Sequence, residues 1–286
     1  MNIIDIITKK RDNQPLTKDE IDYFVQNYTN GTIADYQASA LTMAICLNGM
    51  NEEETKNLSL AMANSGERLD LRDISNIIVD KHSSGGVGDK VTLIVMPIVA
   101  SLGVKVAKMS GRGLGITGGT IDKLEAITGY KTNLSIEEFK QNVKKIGISL
   151  IGQTGNLAPA DKKLYALRDV TGTVESMPLI ASSIMSKKMA SGANKLVLEV
   201  TCGKGAFMKT QEDAETLAKT MKSLGNLSGI ETTCVITNMN EPIGKAVRKF
   251  TRSRRSKRRP KRQNATRRKS SSTRNLSSNN KTSRTR

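Results

Sequence analysis

SGRGLGITGGTIDKLE, residues 110–125, places five glycines in sixteen residues and then opens a helix, and KHSSGGVGDK at 81–90 repeats the same chemistry. Glycine has no Cβ to block positive φ, so such a loop can approach a ligand closely and turn backbone N–H groups toward it. Flanking Lys, Ser and Thr add charge and directed donors, which suits a phosphate gripped from two sides. Each loop follows a short aliphatic run, Val104–Ala107 for the first and Ile77–Val79 for the second. Further runs at Ile148–Ile151, Leu196–Val200 and Cys234–Thr237 alternate with helical stretches. That rhythm predicts an α/β fold with a mainly parallel sheet, whose ligands sit at the carboxyl ends of the strands.

Working outward, residues 1–65 read as four amphipathic helices with no strand signal. Ile3, Ile4, Ile6 and Ile7 form the first apolar face. Thr17 with Glu20 predicts a capping box for the second helix, which Asn30-Gly31 closes. Asp35 reads as the N-cap of the third helix, and Asn51 followed by three glutamates starts the fourth. A helical pattern returns at 160–193, so the expected order is a helical domain (1–65), an α/β phosphate-binding part (66–159), a returning helical part (160–193) and a second α/β part (194–247). Residues 248–286 are a basic tail, expected to be disordered because it has too little apolar surface to offset its ordering entropy.

The net charge of +18 on 286 residues would ordinarily suggest a nucleic-acid partner. Seventeen of the 45 Lys and Arg lie in 248–286, where there is no acid, leaving 28 bases against 27 acids in the body. The charge therefore belongs to the tail. Cys46, Cys202 and Cys234 are far apart and form no CxxC, which supports neither a disulfide framework nor a zinc site. Acids and lysines interrupt the N-terminal isoleucines, unlike a signal peptide, and the apolar run at 93–104 is too short for a bilayer. A soluble cytoplasmic protein is expected.

His82 is the chain's single histidine, and a lone histidine is more often structural; its place inside a phosphate loop favours a ligand contact. Ser183 and Lys187, four apart, share a helix face, and with Arg168 they form a polar cluster in the returning helices. Without the glycine loops that cluster would read as a solvated face.

Taken in order and spacing, KHSSGGVGD, KMSGRGLGITGGTIDKLE, LAPADKKLYALRD, SSIMSKK and GKGAFM closely resemble the pyrimidine-nucleoside phosphorylases, thymidine phosphorylases included, over residues 1 to about 247. The resemblance implies a small all-helical domain and a larger α/β domain of the nucleoside phosphorylase and phosphoribosyltransferase type, flanking a cleft that closes on its substrates. It implies phosphate contacts from Lys81, Ser83, Thr92, Lys108, Ser110 and Thr120, and base contacts from His82, Tyr165, Arg168, Ser183 and Lys187. The implied reaction is phosphorolysis of uridine, thymidine or deoxyuridine to the free base and a pentose 1-phosphate. No cofactor is implied for the chemistry. A structural potassium ion would be held by positions matching Gly88, Lys90, Ile243, Ala246 and 255, and a homodimer would form through the helical domain.

Departures from the family pattern are few before Val247. Lys90 stands where threonine is usual, placing an ammonium at the cation position, and Ile116, Cys202 and Lys204 are atypical in their loops. After NMNEPIGKAV the family continues with a glycine-asparagine turn and a glutamate-rich helix, whereas this chain has RKFTRSRRSKRRPKRQ. With AGA and AGG arginine codons, the frame one nucleotide later reads GNSLEVEEAKEDPK, with glutamate where this chain has Arg255, so a frameshift is the expected origin of the tail. Alternative functions are a phosphoribosyltransferase of related fold, which predicts an acidic magnesium site, or an inactive phosphorylase-like scaffold. In the latter the tail binds polyanions non-specifically.

Overall fold

The computed structural model describes residues 1–113, 118–152, 156–241 and 243–244. The basic tail and its expected disorder lie outside the described residues, as do Ile116 and Ala246. Four helices come first: α1 (Ile3–Arg11), α2 (Lys18–Thr29), α3 (Asp35–Asn48) and α4 (Glu52–Ala63). Their starts are set by side chains. Thr17 and Glu20 exchange hydrogen bonds with each other's backbone N–H, and Asn51 and Glu54 do the same at α4. At α3 the cap is Ala34, not Asp35: Gln37 Oε1 accepts the Ala34 N–H at 3.1 Å, and Asp35 instead accepts the Tyr28 hydroxyl at 3.1 Å.

The sheet follows with β1 (Ile78–Ser83), α5 (Val91–Ser101), β2 (Lys105–Ser110), α6 (Thr120–Leu124), α7 (Ile136–Ile146) and β3 (Ile148–Gly152). Two helices, α8 (Pro159–Arg168) and α9 (Met177–Ala190), then lead to β4 (Lys195–Cys202), α10 (Gln211–Leu227) and β5 (Glu231–Asn238). Strand order is β3-β2-β1-β4-β5, parallel throughout the described residues. The chain builds outward from β1 to β3, crosses back through α8 and α9, and continues on the other side of β1. The order thus reverses between β1 and β4, and the crevice outside the carboxyl ends of strands at such a reversal is where open α/β sheets bind ligands.

Strands β1 and β2 run further than the aliphatic runs predicted, through Lys81-His82-Ser83 and Lys108-Met109-Ser110. Polar residues hid the extension, but pairing shows it: Lys81, His82 and Ser83 align with Val197, Leu198 and Glu199. The polar residues expected to contact ligand here thus sit on strand ends, which hold them more rigidly than loops would.

The helical layer buries Ile6, Ile21, Phe24, Leu41, Ile45 and Leu58, joined by Ala160 and Leu164 of α8 and Leu179 of α9. On its other side α9 packs Ile184, Met185 and Met189 against Leu196, Leu198 and Val200 of β4 and Leu217, Met221 and Leu224 of α10. Every α9 residue from Leu179 to Ala190 is buried. A helix enclosed on all sides joins the two layers. α7 closes the same face at β2 and β3 with Phe139 and Val143. Val197 of β4 and Val235 of β5 are exposed.

Candidate active site

A cavity of about 480 Å³ opens at the carboxyl end of the sheet. Ser83, Ser110 and Gly152, the last residues of β1, β2 and β3, line it, together with Gly85 and Gly86 of one loop, Gly111, Gly113, Gly118 and Gly119 of the other, and residues of α8 and α9. Of the residues predicted to bind phosphate, Ser83, Thr92, Lys108, Ser110 and Thr120 reach the cavity wall, and all five residues predicted to bind the base do so. Lys81 is held back: its ammonium pairs with Glu199 and lies 3.4 Å from the Thr92 hydroxyl, behind the wall.

The loop glycines have specific reasons. Gly85 takes φ +93, open to glycine at no steric penalty. A Cβ on Gly119 would stand 2.3 Å from the Gly113 nitrogen and 2.4 Å from the Arg112 carbonyl carbon, so the two arms of the 110–125 loop touch there. The helix start at Gly118-Gly119-Thr120, whose backbone N–H groups would otherwise be open to an anion, is partly occupied from within. Asp122 Oδ2 accepts the N–H groups of Gly113 at 2.7 Å and Gly119 at 3.0 Å. Arg112 bridges Asp122 and Glu125. This loop is therefore a braced wall whose contribution to the cavity is the Thr120 side chain and the close approach of glycine backbone, more than a ring of free amides.

Opposite stands the base cluster. Arg168 is 3% exposed and donates from Nε to Thr173 O, from one terminal nitrogen to Leu179 O and from the other to Val174 O, at 2.7–3.1 Å. Burial lowers its pKa to about 10, with Asp161 opposing the shift, so it is cationic at neutral pH. Lys187 donates to Asp161 Oδ2 at 2.6 Å and to Ser183 Oγ at 2.8 Å, and its ammonium lies 5.3 Å from the Tyr165 ring centre. Burial pushes Lys187 down and Asp161 holds it up. Burial pushes the Tyr165 phenol well above its usual range.

His82 lies between the two halves. Burial, then the ammoniums of Lys188, Lys108, Lys187 and Lys81, push its pKa well below the ordinary value, so the imidazole is neutral, and its Nδ1 has no hydrogen-bond partner among the described residues. Lys108, also buried, falls to about 7 through desolvation, which Asp80 resists and Lys188 and Lys81 reinforce. Anionic charge entering this cavity meets cations already assembled and desolvated.

Sequence reading missed the carboxylates that make those cations tolerable: Asp80, Asp161 and Glu199 are all buried. One signal was available. Asp161, Tyr165 and Arg168 lie at i, i+4 and i+7, one face of α8. Lys123, Asn133 and Phe207 also line the cavity without having been singled out.

The cation position is different in kind. Lys90 donates its ammonium to the Ile243 carbonyl, and a Cβ on Gly244 would stand 3.3 Å from that nitrogen. Gly88 supplies the left-handed turn with φ +82, while Ala246 and Arg255 lie outside the described residues. A carbonyl engaged by an ammonium is a poor ligand for a metal ion, so the described residues do not fit potassium here.

Residues 4–66 match the family model described as the glycosyl transferase family, helical bundle domain, and residues 75–265 match the glycosyl transferase family, a/b domain. The chain belongs to this glycosyl transferase family. Its relatives include the pyrimidine-nucleoside phosphorylases of Staphylococcus haemolyticus (60% identical), Bacillus subtilis (59%) and Geobacillus stearothermophilus (58%), each over 247 residues that make up 86% of this chain. The chain spans 57% of the length of these relatives. Anthranilate phosphoribosyltransferase from Thermus thermophilus superposes with a TM-score of 0.61 at 21% identity, covering 77% of this chain and 63% of that one. At that identity the likeness concerns the fold. Among the described residues, no helix is long and apolar enough to cross a membrane.

Proposed function

We propose that this chain carries the site of a pyrimidine-nucleoside phosphorylase: phosphate attacks the anomeric carbon of uridine, thymidine or deoxyuridine, releasing the free base and a pentose 1-phosphate. The single observation that carries the reading is one cavity with two cationic halves, Lys108 with the hydroxyls of Ser83 and Ser110 on the strand ends and of Thr92 and Thr120 in the first turns of α5 and α6, and Arg168 with Lys187 on the helices. Phosphate held by Lys108, Ser83, Thr92, Ser110 and Thr120 is an oriented nucleophile, and orientation of this kind removes much of the barrier. The departing base gains negative charge as the glycosidic bond breaks. Arg168, fixed by three carbonyls, and Lys187, fixed by Asp161 and Ser183, face that charge without having to reorganise. Neutral His82 is suited to a hydrogen bond with the base or sugar and adds no charge to compete with Lys108.

The likeness to the phosphorylases at 58–60% identity supports this substrate class. A homodimer through the helical layer fits Tyr36, Met43 and Leu47, exposed along one stripe of α3, with Ile4 exposed on neighbouring α1. Cytoplasmic residence fits the substrates. Lys90 fills the role of the structural cation, its ammonium joining the β1–α5 loop to residue 243. The test is ultraviolet detection of uracil or thymine released from the nucleoside with and without phosphate. Release that requires phosphate supports the reading; a folded chain that releases no base refutes it.

A further inference from the structure

Two fully buried charges at this end of the sheet have no part in the chemistry above. Asp80 on β1 is 0% exposed and Lys188 on α9 is 1% exposed. Lys188 Nζ donates to Asp80 Oδ2 at 2.6 Å and to the Met109 carbonyl at 2.9 Å, so one ammonium ties α9 to both β1 and β2. The other oxygen, Asp80 Oδ1, accepts the Lys81 N–H at 2.7 Å and lies 3.5 Å from Lys108 Nζ. Lys108 in turn donates to the Lys81 carbonyl.

Lys81 has Glu199 as its own counter-ion, and Lys187 has Asp161. Lys108 and Lys188 must share Asp80. The sharing is unequal, because Lys188 holds the short contact. A fixed cation on the far side of a carboxylate withdraws part of that carboxylate's field from the cation on the near side. Lys108 is therefore left short of a full counter-charge, and it is the member of the trio that lines the cavity.

We infer that Asp80 and Lys188 are a positioning pair for Lys108: they fix its ammonium at the end of β2 and leave it under-compensated, so that an entering phosphate supplies the missing negative charge. Neither residue touches the anion. The inference rests on the phosphate reading of the cavity. It adds that α9, which carries Lys187 for the base, also tunes the phosphate side through the next residue along.

The titratable groups facing Lys108 are Asp80, Lys81 and His82 on β1 and Lys188 on α9. α5 and β3 carry no titratable side chain, and α7 buries Phe139 and Val143 toward the sheet. Removing Lys188 gives Asp80 wholly to Lys108 and raises its titration; removing the Asp80 charge lowers it. A merely structural role predicts no such opposite signs.

The experiment follows the Lys108 ε-carbon by NMR in labelled protein across pH, without phosphate, in wild type, Lys188→Met and Asp80→Asn. Wild type should titrate near 7. Lys188→Met should titrate about one pH unit or more higher, and Asp80→Asn lower. Lys188→Arg, which keeps the charge, should stay near wild type and substitutes if the methionine variant does not fold. The same proteins are then titrated with inorganic phosphate at pH 6 and 8.5. In wild type the empty Lys108 must take up a proton to bind at the higher pH, so the affinity of Lys188→Met relative to wild type should improve by about tenfold between the two. An unmoved Lys108 titration, or shifts of the same sign in both variants, overturns the pairing. A moved titration with a constant affinity ratio overturns its role in anion binding. Absence of phosphate binding by wild type overturns the phosphate reading itself, and the NMR titration distinguishes that failure because it uses no phosphate.

Discussion

Asp161→Asn removes one charge of a buried pair and leaves its partner in place. Lys187 Nζ lies 2.6 Å from Asp161 Oδ2, and the two side chains are 7% and 1% exposed. Stripping one member of such a pair destabilises by about 3–5 kcal/mol, because the remaining ion is desolvated and uncompensated. For a folded body of this size that is a fall in Tm of roughly 6–20 °C. The sign with pH also follows. Burial already lowers Lys187, and Asp161 is the influence that holds it up, so Asn at 161 lowers it further. The unfolded lysine then binds a proton that the folded one does not, and stability rises with pH across that window. The deficit relative to wild type should be largest at pH 6 and shrink toward pH 9. Asp161→Asn/Lys187→Met, which removes both charges, should recover most of the loss in stability while remaining without turnover. Urea unfolding followed by circular dichroism at the two pH values reads all of this. A single variant within about 1 kcal/mol of wild type, or a double variant no more stable than the single, would refute the reasoning.

Lys187→Ala should depress turnover more than substrate affinity, since its charge acts most strongly on the departing base; equal loss in nucleoside binding, read from kcat and KM, counts against that role. Gly119→Ala forces the braced loop apart at contacts of 2.3 and 2.4 Å and should lower stability by about 1–3 kcal/mol, checked by thermal unfolding. Potassium replacing choline at constant ionic strength should leave the Tm of the chain unchanged, whereas Lys90→Thr should acquire a saturable potassium-dependent rise; a rise in the unmodified chain contradicts the built-in ammonium. Nucleotide sequence across codons 246–250 should be compatible with the GNSLEVEEAKEDPK frame, and codons that forbid it remove the frameshift account of the tail.

Both glycine loops, the five strands and the starts of α2 and α4 were legible because each depends on local chemistry: turn-forming glycines, aliphatic runs and reciprocal caps. Asp35 was misread as a cap because a short carboxylate beside a helix start looks the same whether it caps or, as here, reaches back to Tyr28. The polar ends of β1 and β2 were illegible for a different reason. Lys81 and Lys108 lie on strands because of pairing with distant segments, which no local pattern records. Asp122 shows the limit at the site itself: it sits inside the quoted motif, yet its occupation of the Gly113 and Gly119 amides depends on how the two arms of the loop meet. The Asp80–Lys188 pair joins residues 108 positions apart, and only the fold brings them together.

Phosphorus NMR of the sugar product after incubation with uridine and phosphate tests the central claim most directly. In-line attack by a phosphate held on the strand ends predicts α-pentose 1-phosphate in equal amount to the base released. Free pentose, the β anomer, or base release that continues without phosphate would contradict it.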